Sequence, residues 1–124
     1  MTANSYSALQ LAYLGDAVFE LQVREKLIKN GAAPVNNLHK YAVNLVKAES
    51  QAIMYKALMS VATEEEQTIL KRGRNAKSAT KAKNSSLIDY KHATGLESLF
   101  GYLFLKGESD RIKELFDICV NLEV

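Results

Sequence analysis

The sequence predicts an all-α fold in one domain, since its 124 residues lie within the usual single-domain range. Three observations lead there. Apolar residues recur at three- and four-residue spacings through most of the chain, as in Leu38, Tyr41, Ala42, Leu45 and Val46. No stretch shows convincing strand alternation. With one proline and six glycines, there is little to interrupt long helices.

The elements follow in order. A first helix runs from about Ser7 to Lys29, with Ser5 or Ser7 as N-cap and Gly31 as the stop ahead of Pro34. A second begins near Asn36 or Asn37 and runs to about Val61, with an interruption near its middle; Ile53, Met54, Ala57 and Leu58 keep its period. Thr63 and Glu66 form a capping-box signature, and Glu64 and Glu65 suit the positive end of a helix dipole. That third helix is expected to be short and to end before Gly73. Residues 72–84 read as an exposed loop with a helical turn at most, because large apolar residues are missing there. A fourth helix spans about Ser86 to Lys106, and a last one runs from Ser109 to about Leu122.

Composition narrows the function classes. The 48% apolar and 24% charged content is that of an ordinary globular domain. A single cysteine, Cys119, excludes an internal disulfide and a cysteine-based zinc cluster, and its apolar surroundings read as core. The N-terminus has neither the basic nor the apolar region of a secretion signal, and no window suits a membrane span, so a cytoplasmic protein is expected. The net charge of +2 hides an asymmetry. Residues 71–83, KRGRNAKSATKAK, hold six of the 16 basic residues and no acid, on an otherwise acidic body. Such a segment points to a localised polyanion contact.

Two carboxylates stand out. Asp16 lies inside the apolar run ALQLAYLGDAVFELQV, and Glu97 is the one acid between Tyr90 and Gly107. An ionised carboxylate in apolar surroundings costs free energy unless a cation or hydrogen-bond donors compensate it. If the two helices pack together, Asp16 and Glu97 converge on a divalent cation. Magnesium suits one or two carboxylates because it keeps several waters. Gly15 and Gly101 would permit the close approach. The plainer reading of each acid is a surface charge. Glu20 reads as a solvated charge or a third ligand, the 64–66 acids as first-turn capping, and His39 and His92 as polar boundary residues. In the basic segment, Arg72, Arg74 and Lys77 suit phosphates, while Asn75 and Ser78 suit phosphate or sugar oxygens. No aromatic residue lies in 71–83, so a duplex backbone fits better than unpaired bases.

LAYLGDAVFELQVREKL resembles the signature helix of the ribonuclease III catalytic domain, and ATGLESLFGYLFL resembles the second acidic helix of that family. With KRGRNAKS between them, the chain resembles the mini-ribonuclease III branch, which lacks a double-stranded-RNA-binding domain. The resemblance covers nearly the whole chain.

It implies the ribonuclease III endonuclease-domain fold, a homodimer, and Mg2+-dependent cleavage of double-stranded RNA. Asp16 and Glu97 take the catalytic and metal-binding positions. Ala12 and Thr94 stand where the family has two further acids, so this site is leaner in carboxylates. The implied dimer contact uses the signature helix around Tyr13 and Phe19. The implied substrate is precursor 23S ribosomal RNA, and a large-subunit ribosomal protein that presents it is left open. A non-catalytic RNA-binding dimer of the same fold is the rival reading, and a purely structural dimerisation module a second.

Overall fold

The structure, a computed structural model, describes residues 5–31, 34–77 and 86–122. Among them are six helices and no strand: α1 (Ala8–Lys29), α2 (Val35–Val46), α3 (Ala48–Met59), α4 (Glu64–Asn75), α5 (Leu87–Leu105) and α6 (Ser109–Val120). Helix α5 is central, and α1, α4, α3 and α6 all pack on it.

Local chemistry sets the helix ends. Ser7 caps α1, and Gln10 reaches back to the Ser7 amide at 2.9 Å, completing a capping box. The chain leaves α1 through Gly31 at φ +68, and leaves α5 through Gly107 at φ +74. The expected interruption of the second helix is Lys47, whose extended ψ of 152 separates α2 from α3. There the buried Ser50 hydroxyl donates to the Asn44 carbonyl at 2.7 Å, so a backbone acceptor freed by the break is satisfied. Thr63 and Glu66 cap α4 as expected, and Ser86 caps α5.

Glu66 does more than cap. It is buried and takes two hydrogen bonds from Arg111 on α6, at 2.8 and 2.7 Å. Paired first with Arg111, its carboxyl is held below the usual carboxylate range. Nearby, Glu65 pairs with Lys106 and accepts from the Tyr102 hydroxyl, tying α4 to the end of α5. The core centres on Phe19, whose ring meets Phe100 and Phe116 edge-on at 5.3 and 5.5 Å. Cys119 is buried as expected, and desolvation pushes its thiol up to about 12, where it is inert.

One expectation is corrected. Residues 72–75 are helical, and α4 does not end before Gly73 but continues through it to Asn75. The reason is packing. Gly73 is buried against α5, where a Cβ would lie 2.6 Å from the Gly95 Cα and 2.5 Å from the Ser98 Oγ. Glycine's low helix propensity, near 1 kcal/mol against alanine, is outweighed by this contact. Ala76 and Lys77 follow the helix, while residues 78–85, including Ser78, lie outside the described residues.

Helices α1 and α5 approach more closely still. A Cβ on Gly15 would lie 1.6 Å from the Glu97 carbonyl oxygen, and one on Gly101 would lie 2.0 Å from that of Leu11. Both obstacles are backbone, which no rotamer change relieves. Gly15→Ala is therefore expected to destabilise the protein by about 3 kcal/mol or more, at the top of the overpacking range. Gly107→Ala meets open space and only the cost of its positive φ, about 1 kcal/mol. Denaturant unfolding of both variants checks the contrast; equal losses would contradict it.

Candidate active site

The Gly15–Gly101 crossing brings the two predicted carboxylates together. Asp16 follows Gly15 directly, and Gly15 packs on the Glu97 backbone. The side chains of Asp16 and Glu97 lie close enough to perturb one another. Their exposure differs. Asp16 faces solvent at the edge of the buried face of α1, whereas Glu97 is half-buried. Burial chiefly, and the Asp16 charge and hydrogen bond next, raise the Glu97 carboxyl to about 9.

Gln51 on α3 also belongs here. Its side chain is buried, and its Nε2 completes no hydrogen bond in its surroundings. Its amide nevertheless lies close enough to Glu97 to offset part of the rise. The sequence reading missed Gln51, because a glutamine in an amphipathic helix has no spacing signal of its own.

The two positions without the family's acids are plain in structure. Ala12 is buried in the core. Thr94 is also buried, and its hydroxyl donates to the Tyr90 carbonyl at 3.0 Å within α5. Thr94 is thus a packed helical threonine. Ser98, one turn later, donates to Thr94 and to Ala8 on α1. Glu20 forms a surface pair with Arg24 at 2.8 Å, so it is the solvated charge of its two readings. His92 stays on α5, with its Nδ1 2.8 Å from the Ile88 carbonyl and its ring edge-on to Tyr55. Among the described residues no three His, Cys, Asp or Glu side chains form a metal cluster.

The donor set nevertheless fits a hard divalent ion. Two carboxylates are forced into contact, one opens to solvent, and an unpartnered amide backs the other. A cation held between them would relieve the repulsion of the pair.

The basic residues at the end of α4 approach the same turn of α5 from a neighbouring face. Gly73 packs on the Gly95–Ser98 turn, the turn that carries Glu97. Arg72 and Arg74 flank Gly73 in the last turn of α4. The Arg72 guanidinium donates to the Tyr6 carbonyl at 3.1 Å, and Arg74 donates to the Asn75 side chain at 3.1 Å while lying beside the Tyr55 hydroxyl. Lys77 is exposed beyond the helix end.

Comparison with known proteins follows the same lines. A family model described as the Ribonuclease III domain matches residues 9–108. The chain is 48% identical over 112 residues to mini-ribonuclease 3 of Brevibacillus brevis, covering 90% of this chain and 84% of that protein. It is 45% identical over 115 residues to mini-ribonuclease 3 of Clostridium tetani, covering 92% and 76%. A Fusobacterium nucleatum protein of known crystal structure superposes with a TM-score of 0.84 at 35% identity, covering 93% of this chain and 92% of that one.

The shifted carboxyl has a measurable consequence. Glu97 binds its proton more tightly in the folded protein than in the unfolded chain, where the ordinary value is near 4.5. Without metal, this group therefore leaves stability at its highest below about pH 4.5 and erodes it as the pH rises toward about 9. Glu97→Gln removes that erosion. In chelator, it is expected to exceed the parent's stability at pH 8 by at least about 1.4 kcal/mol, the equivalent of tenfold in proton affinity. At pH 4 the two proteins should match. Urea melts at both pH values decide; a constant difference would contradict the assignment.

Proposed function

The chain belongs to the ribonuclease III domain family, and on that premise we propose that it is a magnesium-dependent endoribonuclease that cleaves double-stranded RNA as a homodimer. The observation that carries this reading is the contact between Asp16 and Glu97 across a glycine-lined helix crossing. Magnesium held by these two carboxylates would supply a polarised water and neutralise charge developing on the phosphodiester. Asp16, open to solvent, meets the substrate side, while Glu97 anchors the site on α5. The backbone contact fixes the positions from which the two side chains project, which favours a preorganised geometry.

The basic end of α4 serves as the RNA contact. Arg72, Arg74 and Lys77 neutralise phosphates, and Asn75 adds a polar contact to the same strand. Ser78 completes the set in sequence. Arg72 is pre-aimed by its bond to Tyr6, which lowers the entropy lost on binding. Homodimer formation is supported by α1 itself. Leu9, Tyr13, Leu21 and Ile28 are exposed on the face opposite its buried one, and Tyr13 is 87% exposed. Phe19, expected near the contact, is instead in the core. A two-fold axis would place one site on each strand of a duplex.

Precursor 23S ribosomal RNA is the proposed substrate, on the family relationship, with a large-subunit ribosomal protein as a partner that presents it. A cytoplasmic location is proposed on the same ground; among the described residues no helix is long and apolar enough to cross a membrane. The absence of acids at Ala12 and Thr94 favours a second reading, a dimer that binds RNA without cutting it.

Cleavage separates the two. With magnesium and duplex RNA, the parent is expected to cut, and Asp16→Asn to lose more than about 100-fold in rate. Uncut RNA with the parent would support the non-catalytic dimer. In an Asp16→Asn background, Arg74→Ala with Lys77→Ala is expected to weaken binding and to flatten the slope of log affinity against log salt by about 2. An unchanged slope would remove these residues from the interface.

A further inference from the structure

Gln51 calls for an explanation that the carboxylate pair alone does not give. It is 2% exposed, and its Nε2 has no hydrogen-bond partner. A buried amide donor left unpaired is costly, and natural cores rarely keep one without a purpose. The buried hydroxyls of α5 are already committed. The Thr94 hydroxyl donates to Tyr90, and the Ser98 hydroxyl donates to Ala8 and Thr94. The Glu97 carboxyl, meanwhile, lies between the Asp16 carboxyl, brought close by the Gly15 contact, and the Gln51 amide. One carboxyl drawn toward Asp16 does not serve both neighbours fully, which accounts for the unpaired nitrogen.

We propose that Gln51 is a positioning residue of the metal site: its Nε2 donates to the Glu97 carboxylate and orients the other oxygen toward Asp16 and a divalent cation between them. The inference rests on the reading of Asp16 and Glu97 as metal ligands. It assigns to α3 a share of the site, which otherwise comes from α1 and α5. The residue type suits the task. An amide donor stabilises a carboxylate without adding charge to a pair that already repels itself. A further acid in its place would raise that repulsion. Because the chain has alanine and threonine at positions 12 and 94, a neutral support from another helix replaces charge that those positions do not supply. Orienting hydrogen bonds behind a ligand typically govern metal affinity by 10- to 100-fold.

The test measures Mn2+ binding to the full chain by titration calorimetry in the absence of RNA. Gln51→Met keeps the length and removes the donor. It is expected to weaken Mn2+ binding at least about tenfold while leaving the melting temperature of the metal-free protein unchanged or higher. Gln51→Glu, which removes the donor and adds charge, is expected to weaken binding as well. Gln51→Asn withdraws the amide by one methylene and gives the same expected loss if the methionine variant fails to fold. Parent-like Mn2+ affinity in the folded Met or Asn variant would overturn the proposal. Tighter binding by Gln51→Glu would also overturn it, since residue 51 would then be an oxygen ligand. Asp16→Asn is the separate control for the site itself. Loss of binding there with parent-like Gln51→Met refutes the role of Gln51 alone, whereas parent-like binding in Asp16→Asn refutes the metal site.

Discussion

The backbone contact between α1 and α5 is the constraint on which the rest depends. At Gly15 and Gly101 the two helices touch main chain to main chain, with no room for a methyl group on either side. This contact fixes the distance between the two helices and their rotation about their own axes. Asp16 is adjacent to one contact glycine and Glu97 supplies the carbonyl against which that glycine packs, so their proximity follows from the crossing. A crossing held apart by side chains would leave them as two unrelated surface acids.

Bringing two carboxylates together in a partly dry place opposes folding, and the surrounding structure tolerates it for definite reasons. Core packing around Phe19, Phe100 and Phe116 lies along the same two helices and holds them together independently of the acids. The raised proton affinity of Glu97 and the nearby Gln51 amide reduce the repulsion that remains. Strain of this kind is characteristic of functional sites, where stability is given up for a poised arrangement of charge. The contrast with Glu66 is instructive. That residue is also buried, yet Arg111 pairs with its carboxylate on two oxygens, and its proton affinity falls rather than rises. Burial alone does not mark a site; burial without a cation does.

A second glycine contact, Gly73 on the Gly95–Ser98 turn, governs the basic segment. It extends α4 by a turn and holds Arg72 and Arg74 to one flank of α5. The cationic end of α4 and the acid pair thus approach the same turn from two sides. This juxtaposition places cationic side chains near the carboxylate pair.

Much of this was legible in the sequence. The helix starts at Ser7, Thr63 and Ser86 were readable because capping is a local interaction between residues three apart. The break near the middle of the second helix and the pairing of Asp16 with Glu97 followed from periodicity and from charge in apolar surroundings. Tertiary structure alone decided the remainder. Gly73 reads as a helix stop by propensity, yet it continues a helix because α5 rewards the missing side chain with close packing. Gln51 carries no local signal, since its significance lies in an unpaired nitrogen facing a residue 46 positions away. Tyr13 and Phe19 look alike in an apolar run, and only the packed helices send one to solvent and the other to the core. Short-range hydrogen bonding and period are properties of a segment and can be read from it; burial, close approach and proton affinity belong to pairs of segments and exist only once those segments meet.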